Sequence, residues 1–172
     1  MKALVIIDYQ NDFVCGALGF AGAELLEPLI VEKIARAREE GRRVIFTLDT
    51  HGADYLDSAE GKKLPVPHCI KGTTGHELYG EVAKRVNAED VVFEKPTFGS
   101  PELAEYLREN AFEEVEFCGL VTDICVVSNV VLAKAALPES RIVVDRMATA
   151  SFDEEKHKAA LEVMKSVQVD VV

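Results

Sequence analysis

One cysteine in this chain has neighbours suited to nucleophilic chemistry. Cys125 ends the run Gly119-Leu120-Val121-Thr122-Asp123-Ile124-Cys125, which reads as a strand end turning into a helix. A thiol in a first helical turn meets free backbone N–H groups and the positive end of the helix dipole, and both favour thiolate. Asp8 and Lys95 close two other apolar runs, so the fold can bring them to the same edge. A nearby Lys95 ammonium would lower the thiol pKa further. Asp8 could take the thiol proton and later return it to a leaving amine. Backbone N–H groups of Val121 and Cys125 could form an oxyanion hole, and Thr122 or Asp123 could cap the following helix. The same residues also suit a small buried core cysteine and a solvated lysine at a strand end.

A second set is Asp49-x-His51, then Glu60, then His68. One carboxylate and two imidazoles can bind a divalent transition metal, zinc first, with manganese or iron as alternatives. Because His68 is distant in sequence, the spacing equally allows a surface loop with scattered histidines. His76 and His157 lie on helical patterns without such neighbours and are expected at the surface. Several motifs are missing. No Gly-x-Gly-x-x-Gly follows the first apolar run, and there is no P-loop and no Gly-x-Ser-x-Gly elbow.

Positioning these residues requires strands that end at one edge. Apolar β-branched runs at 3–7, 43–48, 90–94, 115–119, 141–145 and 167–172 alternate with helical patterns. Runs apolar on both faces suit strands buried between two helix layers. Residues 24–40 carry Leu25, Leu26, Leu29, Ile30, Ile34 and Ala37 on one stripe, with Gly41 suited to the C′ position. Ser100-Pro101 reads as an N-cap with proline at N1, Ser151-x-x-Glu154 as a capping box, and 125–137 as a buried helix stopped by Pro138. The expected fold is α/β: one domain over 1–172, a doubly wound, Rossmann-like, mostly parallel six-stranded sheet with helices on both faces. Ligands of such sheets bind beyond the carboxyl ends of the strands. Those ends deliver Asp8, Asp49 with His51, Glu94-Lys95, Cys125 and Asp145. The irregular stretch 50–75 is long enough to be functional.

The net charge of -11 disfavours nucleic acid and anionic membranes as partners. No apolar run approaches a membrane span, and the N-terminal run is too short for a signal peptide, so a cytoplasmic location is expected. The four cysteines show no Cys-x-x-Cys spacing, and a disulfide framework is not expected.

The sequence resembles the isochorismatase-like cysteine hydrolases, in their nicotinamidase-related branch. Five blocks carry the resemblance: Ile7-Asp8-Tyr9-Gln10-Asn11-Asp12-Phe13, Thr47-Leu48-Asp49-Thr50-His51, Pro65 to Thr73 (PVPHCIKGT), Lys95-Pro96-Thr97-Phe98, and Gly119 to Val126 (GLVTDICV). It implies Asp8, Lys95 and Cys125 as a catalytic triad and Asp49, His51 and His68 as metal ligands, with Glu60 as a possible addition. It implies Phe13 against a substrate ring and a cis peptide at Val121-Thr122. The implied reaction is hydrolysis of a small amide, nicotinamide to nicotinate and ammonia, through a thioester. It also implies a homo-oligomer, dimer or larger. Relatives usually have Asp-Trp-His where this chain has Asp49-Thr50-His51, and the chain contains no tryptophan. That departure keeps another small amide, a carbamate or a ureido compound open as substrate. Cys15 stands where relatives carry small residues or proline and is read as structural. The alternatives from other classes are a phospho-receiver module, which has no use for Cys125, and a non-catalytic binding protein.

Overall fold

The computed structural model describes residues 1–172. Six parallel strands, β1 (Lys2–Ile7), β2 (Arg43–Asp49), β3 (Val91–Lys95), β4 (Glu114–Leu120), β5 (Arg141–Ala150) and β6 (Asp170–Val171), form one sheet in the order β3-β2-β1-β4-β5-β6. The helices are α1 (Asn11–Val14), α2 (Glu27–Glu39), α3 (Gly80–Ala83), α4 (Pro101–Glu109), α5 (Val127–Ala136) and α6 (Glu154–Ser166). The order reverses between β1 and β4, the crevice where open α/β sheets bind ligands.

Strand alternation builds the two cores. Ala3, Val5 and Ile7 face a core shared with Leu103 and Leu107 of α4, Val130 and Ala133 of α5 and Leu161 and Met164 of α6. Leu4 and Ile6 face the other core, with Ile30, Ile34 and Ala37 of α2. Side chains on successive strand residues point to opposite faces, so a strand covered on both sides must be apolar along its covered length, as β1 is from Ala3 to Ile7.

Local chemistry sets the ends. The Ser100 hydroxyl accepts the Leu103 N–H at 3.0 Å, and Pro101 follows at the first position of α4. Gly41 stands just past α2 at φ 67°, where a residue without Cβ fits best. At Gly119, with φ 112°, a Cβ would meet the Ile7 carbonyl oxygen at 2.1 Å, so only glycine lets β4 close on β1 beside Asp8.

Several expectations are corrected. The first part of the 24–40 stretch is a 3₁₀ turn at Ala23–Leu26, which turns Leu25 outward to 69% exposure. The cap of α6 is Asp153, accepting the N–H groups of Glu155 and Lys156; Ser151 instead bonds the Asp153 N–H. Strand β5 runs on to Ala150, and its register against β4 jumps from Val144 opposite Phe117 to Thr149 opposite Gly119. Asp145 therefore sits in a bulge and pairs with Lys33, away from the strand-end edge. No helix is long and apolar enough to cross a membrane.

Candidate active site

The ends of β1, β3 and β4 bring Asp8, Lys95 and Cys125 together. Lys95 Nζ lies 2.6 Å from Asp8 Oδ2 and 3.5 Å from Cys125 Sγ. Lys95 and Asp8 are fully buried, and Cys125 is 4% exposed. An ammonium has three N–H donors. Besides Asp8, those of Lys95 face Cys125 Sγ, the Thr97 carbonyl at 3.0 Å and Asp49 Oδ1 at 3.3 Å. Asp8 Oδ2 meets the same ammonium more closely than any of these, as an ion pair at 2.6 Å, and has no second partner. It remains an acceptor with an open lone pair. The other oxygen, Oδ1, accepts the Thr47 hydroxyl at 2.6 Å. Asp8 itself adopts φ 45°, a sparsely populated conformation for a residue with a Cβ, of the kind that clusters at functional sites.

Burial dominates the electrostatics. It pushes the Asp8 carboxyl pKa up, against the Lys95 charge. It pushes the Cys125 thiol well above its ordinary value, with Lys95 opposing and Asp8 and Asp49 reinforcing. For Lys95, burial opposes the charge, but Asp8, Cys125 and Asp49 outweigh it and hold the ammonium. Desolvation therefore works against the thiolate-favouring effect of Lys95 expected from the sequence.

The turn that carries Cys125 also differs from expectation. Thr122–Val126 form a single π turn ahead of α5, with no side-chain cap. The Thr122 hydroxyl bonds Thr149 Oγ1 at 2.8 Å and His157 Nδ1 at 2.9 Å instead. The cis peptide lies at Leu120-Val121, one bond earlier than expected. The Val121 carbonyl accepts from Ile124 and Val126, while the Val121 N–H has no backbone acceptor. His157 is half-buried through its bond to Thr122. His76 is buried, its Nε2 2.8 Å from Thr50 Oγ1, so neither is the surface histidine expected. Cys15 is exposed, not built into the core.

Asp49, His51 and His68 form the second cluster. All three are buried, and one ligand atom from each lies within 4.8 Å of the others. His51 Nε2 is 3.0 Å and His68 Nε2 3.3 Å from Asp49 Oδ2. His68 Nδ1 bonds the Val66 carbonyl at 2.8 Å, which leaves Nε2 as the free nitrogen facing the cluster. Glu60 Oε1 stands farther out, 3.9 Å from His51 and 3.7 Å from His68. Two imidazoles and one carboxylate, oriented and converging, fit a zinc, manganese or iron ion. Burial raises the Asp49 pKa, but bonds to His51 and His68 and the Lys95 charge outweigh it and hold the carboxylate ionised. Asp49 therefore joins the clusters, with Oδ1 on Lys95 and Oδ2 on the histidines.

The family model for the isochorismatase domain matches residues 2–172. The chain belongs to the isochorismatase-domain family. The nicotinamidase/pyrazinamidase of Mycobacterium tuberculosis is 30% identical, with 100% of this chain and 98% of that protein covered. The crystal structure of the nicotinamidase/pyrazinamidase PncA from Bacillus subtilis superposes with a TM-score of 0.89 at 36% identity, covering 99% and 98% of the chains. The pyrazinamidase of Pyrococcus horikoshii, solved in complex with zinc, gives 0.85 at 26% identity, covering 99% and 98%.

In this isochorismatase-domain chain the two clusters meet a cavity of about 40 Å³. Phe13, Leu18, Leu64, Phe98, Val121 and Ile124 line it, together with Cys125, Asp49, Glu60 and His68. Sequence reasoning missed Thr47 and Gln10, which hold these groups. Thr47 fixes Asp8, as above. Gln10 is fully buried and clamps Asp49, accepting its N–H at 2.8 Å and donating to its carbonyl at 2.9 Å. Tyr55 packs edge-on to both histidines, at centroid distances of 4.7 and 5.0 Å, and its hydroxyl bonds the Leu64 carbonyl. Each partner lies far away in sequence or on an irregular loop, and only the matching blocks hint at Thr47 and Gln10.

Proposed function

We propose that this chain is a hydrolase of small, uncharged ring carboxamides, with nicotinamide as the leading substrate and nicotinate and ammonia as products. The observation that carries the reading is the buried contact of Cys125 Sγ with Lys95 Nζ at 3.5 Å, beside Asp8 Oδ2 at 2.6 Å from the same ammonium, next to a largely apolar cavity. Asp8 Oδ2 accepts the Cys125 proton as the sulfur attacks the carboxamide carbon. Lys95 stays charged and holds the forming thiolate. The oxyanion is received by the Val121 and Cys125 N–H groups. Asp8 returns its proton to the leaving nitrogen, and the C–N bond breaks to release ammonia. Water, deprotonated by Asp8, then adds to the thioester, and the acid leaves with Cys125 restored as thiol. Asp49, His51 and His68 would hold a divalent metal, with Glu60 close enough to assist. Bound there, the metal supplies a Lewis acid that fixes a ring nitrogen or a water.

Charge argues for the uncharged ring. The charged groups along the cavity are the carboxylates Asp49 and Glu60, and the one buried ammonium is already shared among Asp8, Asp49 and Cys125. An anionic substrate would meet repulsion without a partner. Phe13, 5.6 Å from the His68 ring, supplies an apolar wall beside the metal ligands. Four unpaired thiols suit a reducing cytoplasm. The outward-facing Leu25, Met147 and Phe152, all more than half exposed, support a homo-oligomer.

The test is ammonia release from a panel of amides, carbamates and ureido compounds, before and after chelation and metal return. Turnover of nicotinamide, lost in Cys125→Ala, is the expected result. Turnover confined to carbamates or ureido compounds would move the substrate and leave the chemistry. No ammonia from any compound by metal-loaded protein would overturn the reading. Elemental analysis should show about one metal per chain, and less in His51→Ala.

A further inference from the structure

Asn129 lies on α5, one turn past Cys125, and is 1% exposed. Its amide makes three of the four hydrogen bonds open to it. Nδ2 donates to the Cys125 carbonyl at 2.8 Å and to the Phe98 carbonyl at 3.0 Å, and Oδ1 accepts the Ser100 N–H at 2.9 Å. One buried side chain thus ties the nucleophile's own backbone to the loop between β3 and α4. That loop is pressed hard on α5: a Cβ on Gly99 would meet Leu132 Cδ1 at 2.7 Å and Ser128 Cβ at 3.5 Å. Its other end is held by the catalytic cluster, through Lys95 Nζ to the Thr97 carbonyl at 3.0 Å. Phe98 stands between these anchors. The residue is 42% exposed and lines the same cavity as Cys125. Those attachments on either side fix the backbone that carries the ring.

We infer that Asn129 is a specificity-determining positioning residue: it sets the gap between the Phe98 wall and the Cys125 thiol, and so favours flat ring amides over ringless ones. The inference rests on the ring-amide reading above, but its test does not need turnover. Cys125 can be alkylated by iodoacetamide, which has no ring, or by N-phenyl-iodoacetamide, which carries one, with the site of reaction read by peptide mass. Wild-type protein should prefer the ring-bearing reagent. Asn129→Ala should cut that preference by about tenfold or more, because a wall displaced by about 1 Å loses its alignment with the ring. The iodoacetamide rate itself should hold within about twofold, as expected when only the contact with the ring is lost. Phe98→Ala, at an exposed position that does not endanger folding, should give the same loss. The double variant should lose no more than either single one, since both remove one contact. In turnover of a ring carboxamide, Asn129→Ala should raise KM about tenfold with kcat within about threefold, as for an interaction made equally in ground and transition states.

An unchanged preference in either variant, fully additive losses, or equal slowing by both reagents would overturn the inference; so would a wild type indifferent to the ring. Ring preference in a wild type that releases no ammonia would instead remove the amidase reading and leave Asn129's role intact.

Discussion

Two buried ion clusters in this chain obey opposite rules. On the α2 face of the sheet, Lys33 bonds Glu116 Oε1 at 2.7 Å and pairs with Asp145, while Arg42 bonds Glu116 Oε2 at 2.8 Å and the Ala3 carbonyl at 3.0 Å. Both Glu116 oxygens are used. Burial pushes Glu116 up and Lys33 down, yet the partners outweigh it in each case, and both groups are held in their charged forms. At the strand ends, Asp8 Oδ2 has Lys95 as its one partner and an open lone pair besides, and burial moves Asp8 and Cys125 toward their neutral forms despite Lys95 beside them. The first cluster spends its hydrogen-bonding capacity on the fold. The second holds capacity back, and that reserve is what a proton transfer uses.

The largest effect that separates the clusters is on catalysis. Cys125→Ala should lower kcat by at least about 10⁴-fold, as removal of a nucleophile does, with the cooperative thermal transition retained. Activity within tenfold of wild type would end the nucleophile assignment. Asp8→Asn should follow, with a loss of about 10² to 10⁴-fold, the range for a general base. It should cost less stability than the change at Glu116 below, because burial already opposes the Asp8 charge.

Glu116→Gln should do the reverse. Lys33 and Arg42 would keep their charges in a site 10% exposed or less, with half of their acceptor strength gone. Breaking a buried pair from one side costs about 3 kcal/mol or more, read as a lower urea midpoint at unchanged slope. Ammonia release by the folded protein should not change. A variant that lost activity and kept its stability would erase the distinction between the two clusters.

The sequence made the strand ends legible and left most of the support around them hidden. Apolar runs located all six strands because a doubly covered sheet demands them. Asp8, Asp49, Lys95 and Cys125 were visible as polar residues closing those runs. Thr47, Gln10 and Asn129 were not, since their hydrogen bonds reach other elements or irregular loops and leave no local period. The bulge that removes Asp145 from the site edge depends on pairing between β4 and β5, which no single segment encodes. Ser151 and Asp153 are both good caps, and the length of β5 decided between them. His76 and His157 looked like surface residues because helical position alone does not say which polar side chain finds a buried hydroxyl.

The smallest effect, and the one that tests the rule itself, is the slope of stability against pH on the acid side. Glu116 has a folded pKa below its unfolded value, so its contribution is complete above the unfolded carboxylate pKa of about 4.3 and is lost as pH falls through the lower folded value. Lys33, raised in the fold, contributes fully below the unfolded lysine pKa of about 10.4 and does not enter on the acid side. Asp8 runs the other way: its folded pKa is raised, so the fold gains stability as pH falls through that value and Asp8 takes up its proton. Urea midpoints between pH 7 and pH 3 should therefore fall less steeply in Glu116→Gln than in wild type, and more steeply in Asp8→Asn. Changes of the same sign in both variants would mean that the two carboxylates sit in equivalent environments, and the reserve of unpaired capacity assigned to Asp8 would have to be given up.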